Sequence, residues 1–185
     1  MKEAYRHLTA AAEAKETAIG RLAEIIAILR VECPWDRVQT HESLRAGMLE
    51  EAYEVVEAID NKDLANLREE LGDVLLQVVF HAHIEEERGG FDLTDVINEE
   101  CEKMIRRHPH VFLEESENNH AKSIDKVLEK WENIKVQERG DKRVTSRMEK
   151  VPKALPALTR ANKIQKRAAE SGFDWDDISG AFDKV

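Results

Sequence analysis

The stretch LEEAYEVVEAIDNKDLANLREELGDVLLQVVFHA, residues 49–82, decides the fold. It reads as two helices joined by the short turn Asn61-Lys62-Asp63. At roughly 100° per residue, Met48, Ala52, Val55 and Ile59 fall on one stripe of the first helix, and Leu67, Leu71, Val74 and Val78 on one stripe of the second. Each residue of the second set follows its counterpart by 19 positions, and the same offset carries Glu51 onto Glu70 and Glu54 onto Asp73. Each acidic pair therefore sits on the same edge of its own stripe, roughly 90° or more from the centre. A short turn makes the helices antiparallel neighbours. The approximate twofold axis of such a pair keeps equal edges on one side, and its centre, residue 62, puts both acidic pairs at about the same height. The spacing predicts four carboxylates converging on one face.

Four carboxylates held together repel one another unless they are protonated, paired with bases or bridged by a cation. Lys62 lies in the turn and Arg68 roughly 160° away on the wheel, so the residue types favour a hard divalent cation with oxygen ligands, Mg²⁺ or Mn²⁺. A di-iron bundle would supply Glu-x-x-His from two helices, whereas the i+3 partners here are Glu54 and Asp73. His81 and His83, two residues apart, point to nearly opposite faces and are not a chelating pair. Glu50, Glu57, Glu69, Glu85, Glu86 and Glu87 read as a solvated face.

Outward from this hairpin, residues 3–31 read as helix with a break at Gly20, ended by Cys33-Pro34-Trp35-Asp36. Ser43 is placed to cap a helix from Leu44 to about Asp60. A second runs from Leu64 to Arg88, stopped by Gly89-Gly90, and a third from Asp92 or Thr94 to about Arg107, closed by His108-Pro109. After a polar stretch, Glu114 to His120, residues 121–139 form a helix with Trp131, Ile134 and Val136. Residues 140–155 read as a charged linker, and a last helix lies near 156–170. The expected class is all-α, an antiparallel helical bundle.

Composition agrees. Of 185 residues, 42% are hydrophobic and 36% charged, with only eight Gly and four Pro, which argues against a turn-rich β sandwich. A formal charge of −10 is the wrong sign for a protein that coats nucleic acid. Two cysteines make no disulfide framework and fit a reducing compartment. No apolar run approaches a signal segment or a membrane span. The expectation is a soluble cytoplasmic protein with no nucleic-acid or membrane partner.

The acidic pattern, E-x-x-E (Glu51, Glu54), fifteen residues, then E-x-x-D (Glu70, Asp73), resembles the signature of the MazG-type nucleoside triphosphate pyrophosphohydrolases. The flanks agree: CPWDRVQTHESL before it, LREELGDVLLQVVFHA around it, then RRHPHVF (Arg106 to Phe112) and WENIK (Trp131 to Lys135). The likeness covers roughly residues 20–178. It implies an all-α module that assembles as a homodimer or higher homo-oligomer and hydrolyses a nucleoside triphosphate substrate, with Mg²⁺, to the monophosphate and pyrophosphate. By the same resemblance Glu51, Glu54, Glu70 and Asp73 are metal ligands and the catalytic set, and Lys103 and Arg107, on one helical face, meet phosphate oxygens.

Residues 1–20 then form an N-terminal helical extension, 21–139 the catalytic module, 140–155 the linker, and 156–185 what looks like the family's connection into a second module. No second E-x-x-E…E-x-x-D follows. The rival reading is a catalytically weak or inactive module that binds nucleotide and drives oligomerisation. Trp35 and Trp131 read as packing anchors before base-stacking platforms, and Cys33 as a small buried residue.

Overall fold

The computed structural model describes residues 2–112, 123–138, 148–169, 171–174 and 177–182. Among them the regular elements are all helical: a 3₁₀ turn over Glu3–Thr9, α1 (Lys15–Glu32), a 3₁₀ turn over Asp36–Val38, α2 (His41–Asp60), α3 (Leu64–Glu87), α4 (Leu93–Arg107), α5 (Pro109–Phe112), α6 (Ile124–Glu138), α7 (Ala157–Ala169) and α8 (Ile178–Phe182). The all-α expectation holds. The polar stretch at 114–120, and the expected linker as far as residue 147, lie outside the described residues. The chain divides into two compact units, Met1–Glu102 and Lys103–Val185, with the boundary inside α4.

In the first unit α2 and α3 form the antiparallel hairpin, and they make the most extensive helix–helix contact among the described residues. Thr40, not Ser43, caps α2. The Thr40 hydroxyl accepts from the Ser43 amide, while the Ser43 hydroxyl oxygen accepts from the Thr40 amide at 2.9 Å. Ser43 is thus the third helical residue of a reciprocal capping box, and three residues expected to lie outside the helix are in it. At the far end the amide of Lys62 reaches the Ile59 carbonyl and that of Asp63 the Ala58 carbonyl. Lys62 sits in the left-handed region at φ 57°, which turns the chain over in three residues. Asp63 then caps α3 by accepting from the amides of Ala65 and Asn66 at 3.0 and 3.1 Å. Gly89, at φ 74°, ends that helix.

Helix α1 lies against α3, closing a core of Ile26, Leu44, Val79, Phe80 and Ile84. A buried arginine fixes the turn-rich passage between α1 and α2. Arg30 donates to both carboxylate oxygens of Glu87 (3.0 and 2.5 Å) and to the carbonyls of Asp36 and Gln39 (2.6 and 2.9 Å), with its guanidinium 5.6 Å from the Phe80 ring centre. Its bonds hold the Glu87 carboxyl below the ordinary carboxylate range.

The N-terminal segment departs from expectation. Gly20 lies within an unbroken α1, and the break falls at Ala10–Ala14, whose two end residues have extended backbone. Helical propensity would favour this alanine-rich stretch. Tertiary contacts outweigh it: His7 meets Glu24 at 2.7 Å, and Arg21 donates to the Leu8 carbonyl at 2.8 Å, folding the first turn back along α1.

In the second unit, Arg106 and Arg107 close on one carboxylate, that of Glu138 at the end of α6, with contacts of 2.6, 3.1 and 2.7 Å. Lys135 lies over the Trp131 ring, 4.6 Å from its centre. No helix among the described residues is long and apolar enough to cross a membrane.

Replacing Asp63 by alanine removes both acceptor contacts at the hinge of the hairpin. The expected loss is about 1 kcal/mol, read as a lower urea midpoint with an unchanged slope.

Candidate metal centre

The hairpin meets along one seam. On α2 it runs Leu44, Gly47, Glu51, Glu54; on α3 it runs Phe80, Gln77, Asp73, Glu70, and each facing pair is equidistant from Lys62 in the chain. Leu44 and Phe80 share the buried core. Gly47 faces Gln77 so closely that a Cβ on the glycine would lie 3.1 Å from Gln77 Nε2. Toward the turn the seam becomes acidic. Carboxylate oxygens of Glu51, Glu70 and Asp73 lie within 4.8 Å of one another. Glu54 stands against them, its charge acting on the carboxyls of both Glu51 and Glu70.

The sequence pattern set these acids on the edge of an apolar stripe; the structure sets them in the seam itself. Ala52 and Ile59 of that stripe are exposed and Met48 and Val55 only half-buried. The helix has turned so that Leu44, Gly47 and Ala58 make the contact, because glycine and alanine let the backbones approach where larger residues would hold them apart. Leu49, Tyr53 and Val56 on α2, and Leu71 and Leu75 on α3, each on the side of its helix away from the seam, are left exposed.

Crowding perturbs the acids. Desolvation against the helices raises the Glu51 carboxyl above its ordinary value, with the charges of Asp73 and Glu54 adding to it. Glu70 is raised in the same way, by desolvation and then by Glu54 and Asp73. A raised carboxyl destabilises the folded state at neutral pH, and the penalty is relieved as pH falls through the folded value. A divalent cation relieves it without protonation. Carboxylate oxygens from two helices, at mutual distances below 4.8 Å, fit a hard ion of that kind.

The remaining candidates fall elsewhere. Lys103 and Arg107 lie on α4 within the second unit. The Arg107 guanidinium, with only 14% of its side chain exposed, holds Glu138. Hydrogen bonds from Arg107 and Arg106 in turn lower the Glu138 carboxyl to about 2. The two histidines part as the helical wheel requires: His81 meets His41 Nδ1 to Nδ1 at 2.7 Å, while His83 bonds Glu86 at 2.9 Å. His41 in turn contacts Glu85, which Arg88 also holds. Trp35 is 63% exposed and packs as no anchor. Cys33 is half-buried, not fully so. Two residues of the seam, Gly47 and Gln77, were missed from sequence, although their equal distance from Lys62 was a usable signal.

Comparisons with known proteins agree with this geometry. The family model of the MazG nucleotide pyrophosphohydrolase domain matches residues 39–112, which contain the whole hairpin. The chain is 50% identical over 153 residues to the nucleoside triphosphate pyrophosphohydrolase/pyrophosphatase MazG of Thermotoga maritima, a match covering 83% of this chain and 56% of that one. It is 46% identical over 170 residues to a nucleoside triphosphate pyrophosphohydrolase of Escherichia coli, covering 90% and 63%. The chain thus spans less than two thirds of the length of these two curated relatives. Among solved structures, a MazG-related protein from Thermotoga maritima superposes with a TM-score of 0.53 at 34% identity, over 63% of this chain and 97% of its own. The chain belongs to the MazG family.

Two measurements check the electrostatics. Glu51→Gln is expected to raise the melting temperature in chelator and to reduce the rise expected when a divalent cation is added to the parent protein. At Glu138 the sign is opposite. Its ordinary value is 4.5 and its folded value about 2, so its contribution is complete at neutral pH and is lost as pH falls from about 5 toward 2. Acid unfolding curves of the parent and Glu138→Gln should differ at pH 6 and converge near pH 2.

Proposed function

We propose that this chain carries out divalent-cation-dependent hydrolysis of a nucleoside triphosphate to the monophosphate and pyrophosphate, as a house-cleaning activity on the nucleotide pool. Mg²⁺ is the working ion and Mn²⁺ a substitute. The observation that carries the reading is the cluster of Glu51, Glu70 and Asp73 on facing helices, with Glu54 against it. The printed names of the relatives support the reaction class.

In this reading Glu51, Glu70 and Asp73 hold the cation, and Glu54 completes the set. When bound, the ion neutralises triphosphate charge and polarises the phosphorus under attack. A carboxylate of the four orients the attacking water and takes its proton. The water oxygen bonds to the α-phosphorus, the bond to the bridging oxygen breaks, and pyrophosphate leaves. Lys103 and Arg107 are assigned to the phosphate oxygens. The two-pronged hold of Arg107 on Glu138 shows the anion geometry that its guanidinium accepts.

The catalytic module extends over 21–139, around the matched segment, and works as a homodimer or higher homo-oligomer in the cytoplasm. The exposed apolar residues Leu49, Tyr53 and Val56 on the outer face of α2, and Leu71 and Leu75 on that of α3, support self-association, since apolar faces gain by burial against a second copy.

The test is pyrophosphate release from a panel of ribo- and deoxyribonucleoside triphosphates with and without Mg²⁺. Glu54→Ala and Asp73→Ala should each lower turnover by at least about 10²-fold. A folded protein that binds Mg²⁺ or nucleotide without turnover would favour the nucleotide-binding module instead. Turnover surviving both substitutions would overturn the carboxylate assignment.

A further inference from the structure

We propose that Gln77 is a positioning residue of the carboxylate site, its amide oxygen accepting a hydrogen bond from water held by the acidic cluster, and that Gly47 is glycine to make room for that amide. The inference rests on the cation-binding reading above.

Gln77 is 9% exposed, and its Oε1 is sealed from solvent with no hydrogen-bond partner among the described residues. Leaving a buried acceptor unpaired costs about 1–3 kcal/mol. A methionine or leucine would fill the same volume without that penalty, so an amide here calls for a partner. The seam says from which side it comes. One layer away from the turn, Leu44 and Phe80 are apolar and buried. One layer toward the turn stand Glu51 and Asp73, the latter a single helical turn before Gln77 on the same helix. Ionised carboxylates accept and do not donate. The donor that satisfies both neighbours is water, which gives one hydrogen to a carboxylate and the other to Oε1.

Gly47 supports the assignment independently. A Cβ there would stand 3.1 Å from Gln77 Nε2, tighter than ordinary packing, so any other residue displaces the amide. Glycine inside a helix is disfavoured by about 1 kcal/mol relative to alanine. Here the open space is taken by the amide.

The experiment is Mn²⁺ binding by titration calorimetry, with melting temperatures in chelator, for the parent, Gln77→Met, Gly47→Ala, the double variant and Asp73→Asn. Gln77→Met should melt no lower than the parent in chelator yet bind Mn²⁺ about tenfold or more weakly, the loss usual for a partner behind the metal ligands. Gly47→Ala should weaken binding similarly, and the double variant no further, because both act through one amide. Unchanged Mn²⁺ affinity in Gln77→Met, while Asp73→Asn loses binding, would overturn the role of Gln77 and leave the cation site standing. A lower melting temperature with unchanged affinity would make the amide purely structural. If Gln77→Met does not fold, Gly47→Ala decides by the same criterion. A parent that binds no Mn²⁺ would overturn both readings.

Discussion

Everything in the first unit follows from the register in which α2 and α3 face each other about Lys62. The three-residue turn allows one antiparallel pairing, and that pairing stacks the seam in layers: Leu44 with Phe80, Gly47 with Gln77, Glu51 with Asp73, Glu54 with Glu70. One end of the seam, Leu44 with Phe80, is apolar and shared with the core that α1 closes, and the half toward the turn is acidic. The two halves are coupled because the helices are continuous. Core packing at Leu44 and Phe80 sets how close the backbones come, and that distance forces the carboxylates of Glu51, Glu70 and Asp73 together farther along. Repulsion among them is therefore imposed by the core, which is how a stable scaffold can hold a cluster that is unfavourable by itself.

Arg30 is the second fixed point. It is almost wholly buried, and it makes four hydrogen bonds, two to a carboxylate and two to carbonyls, while its face rests near Phe80. An unpaired buried guanidinium would be costly, so the pairing with Glu87 is obligatory once the passage at 33–40 folds over α1. In this way the segment containing Cys33, Trp35 and Asp36 is anchored from beneath, which leaves Trp35 outside. From sequence Trp35 reads as a packing anchor, yet it is 63% exposed. What decides its exposure is an arginine five residues earlier and a glutamate at the end of α3.

The fold class was legible because helix-forming residues dominate and because turn and cap residues at Asn61-Lys62-Asp63 and Gly89-Gly90 stand where the helices end. The grouping of Glu51, Glu70 and Asp73 was legible because an offset of 19 residues carries one helix's acids onto the other's. The seam was not. Two apolar stripes compete on α2, and choosing between Met48–Ile59 and Leu44–Ala58 requires knowing that Gly47 admits a close partner. Nor was the break before Lys15, since propensity favours helix through Ala10–Ala12 and only the contacts of His7 and Arg21 show otherwise. Arg107 shows the same limit: its spacing from Lys103 is readable in the sequence, but its hold on Glu138, 31 residues away, is not.

The Arg30–Glu87 contact spans 57 residues, whereas the two helices of the hairpin are separated by three. Loop-closure entropy grows with the length closed, so these two events differ in how early the chain can reach them. The hairpin seam is a local set of contacts, its facing residues set in register by the turn. The docking of α1, the burial of Ile26 and the locking of the 33–40 passage are long-range events that complete it. The contacts that group the acids are thus short-range in sequence, while those that bury the core are long-range.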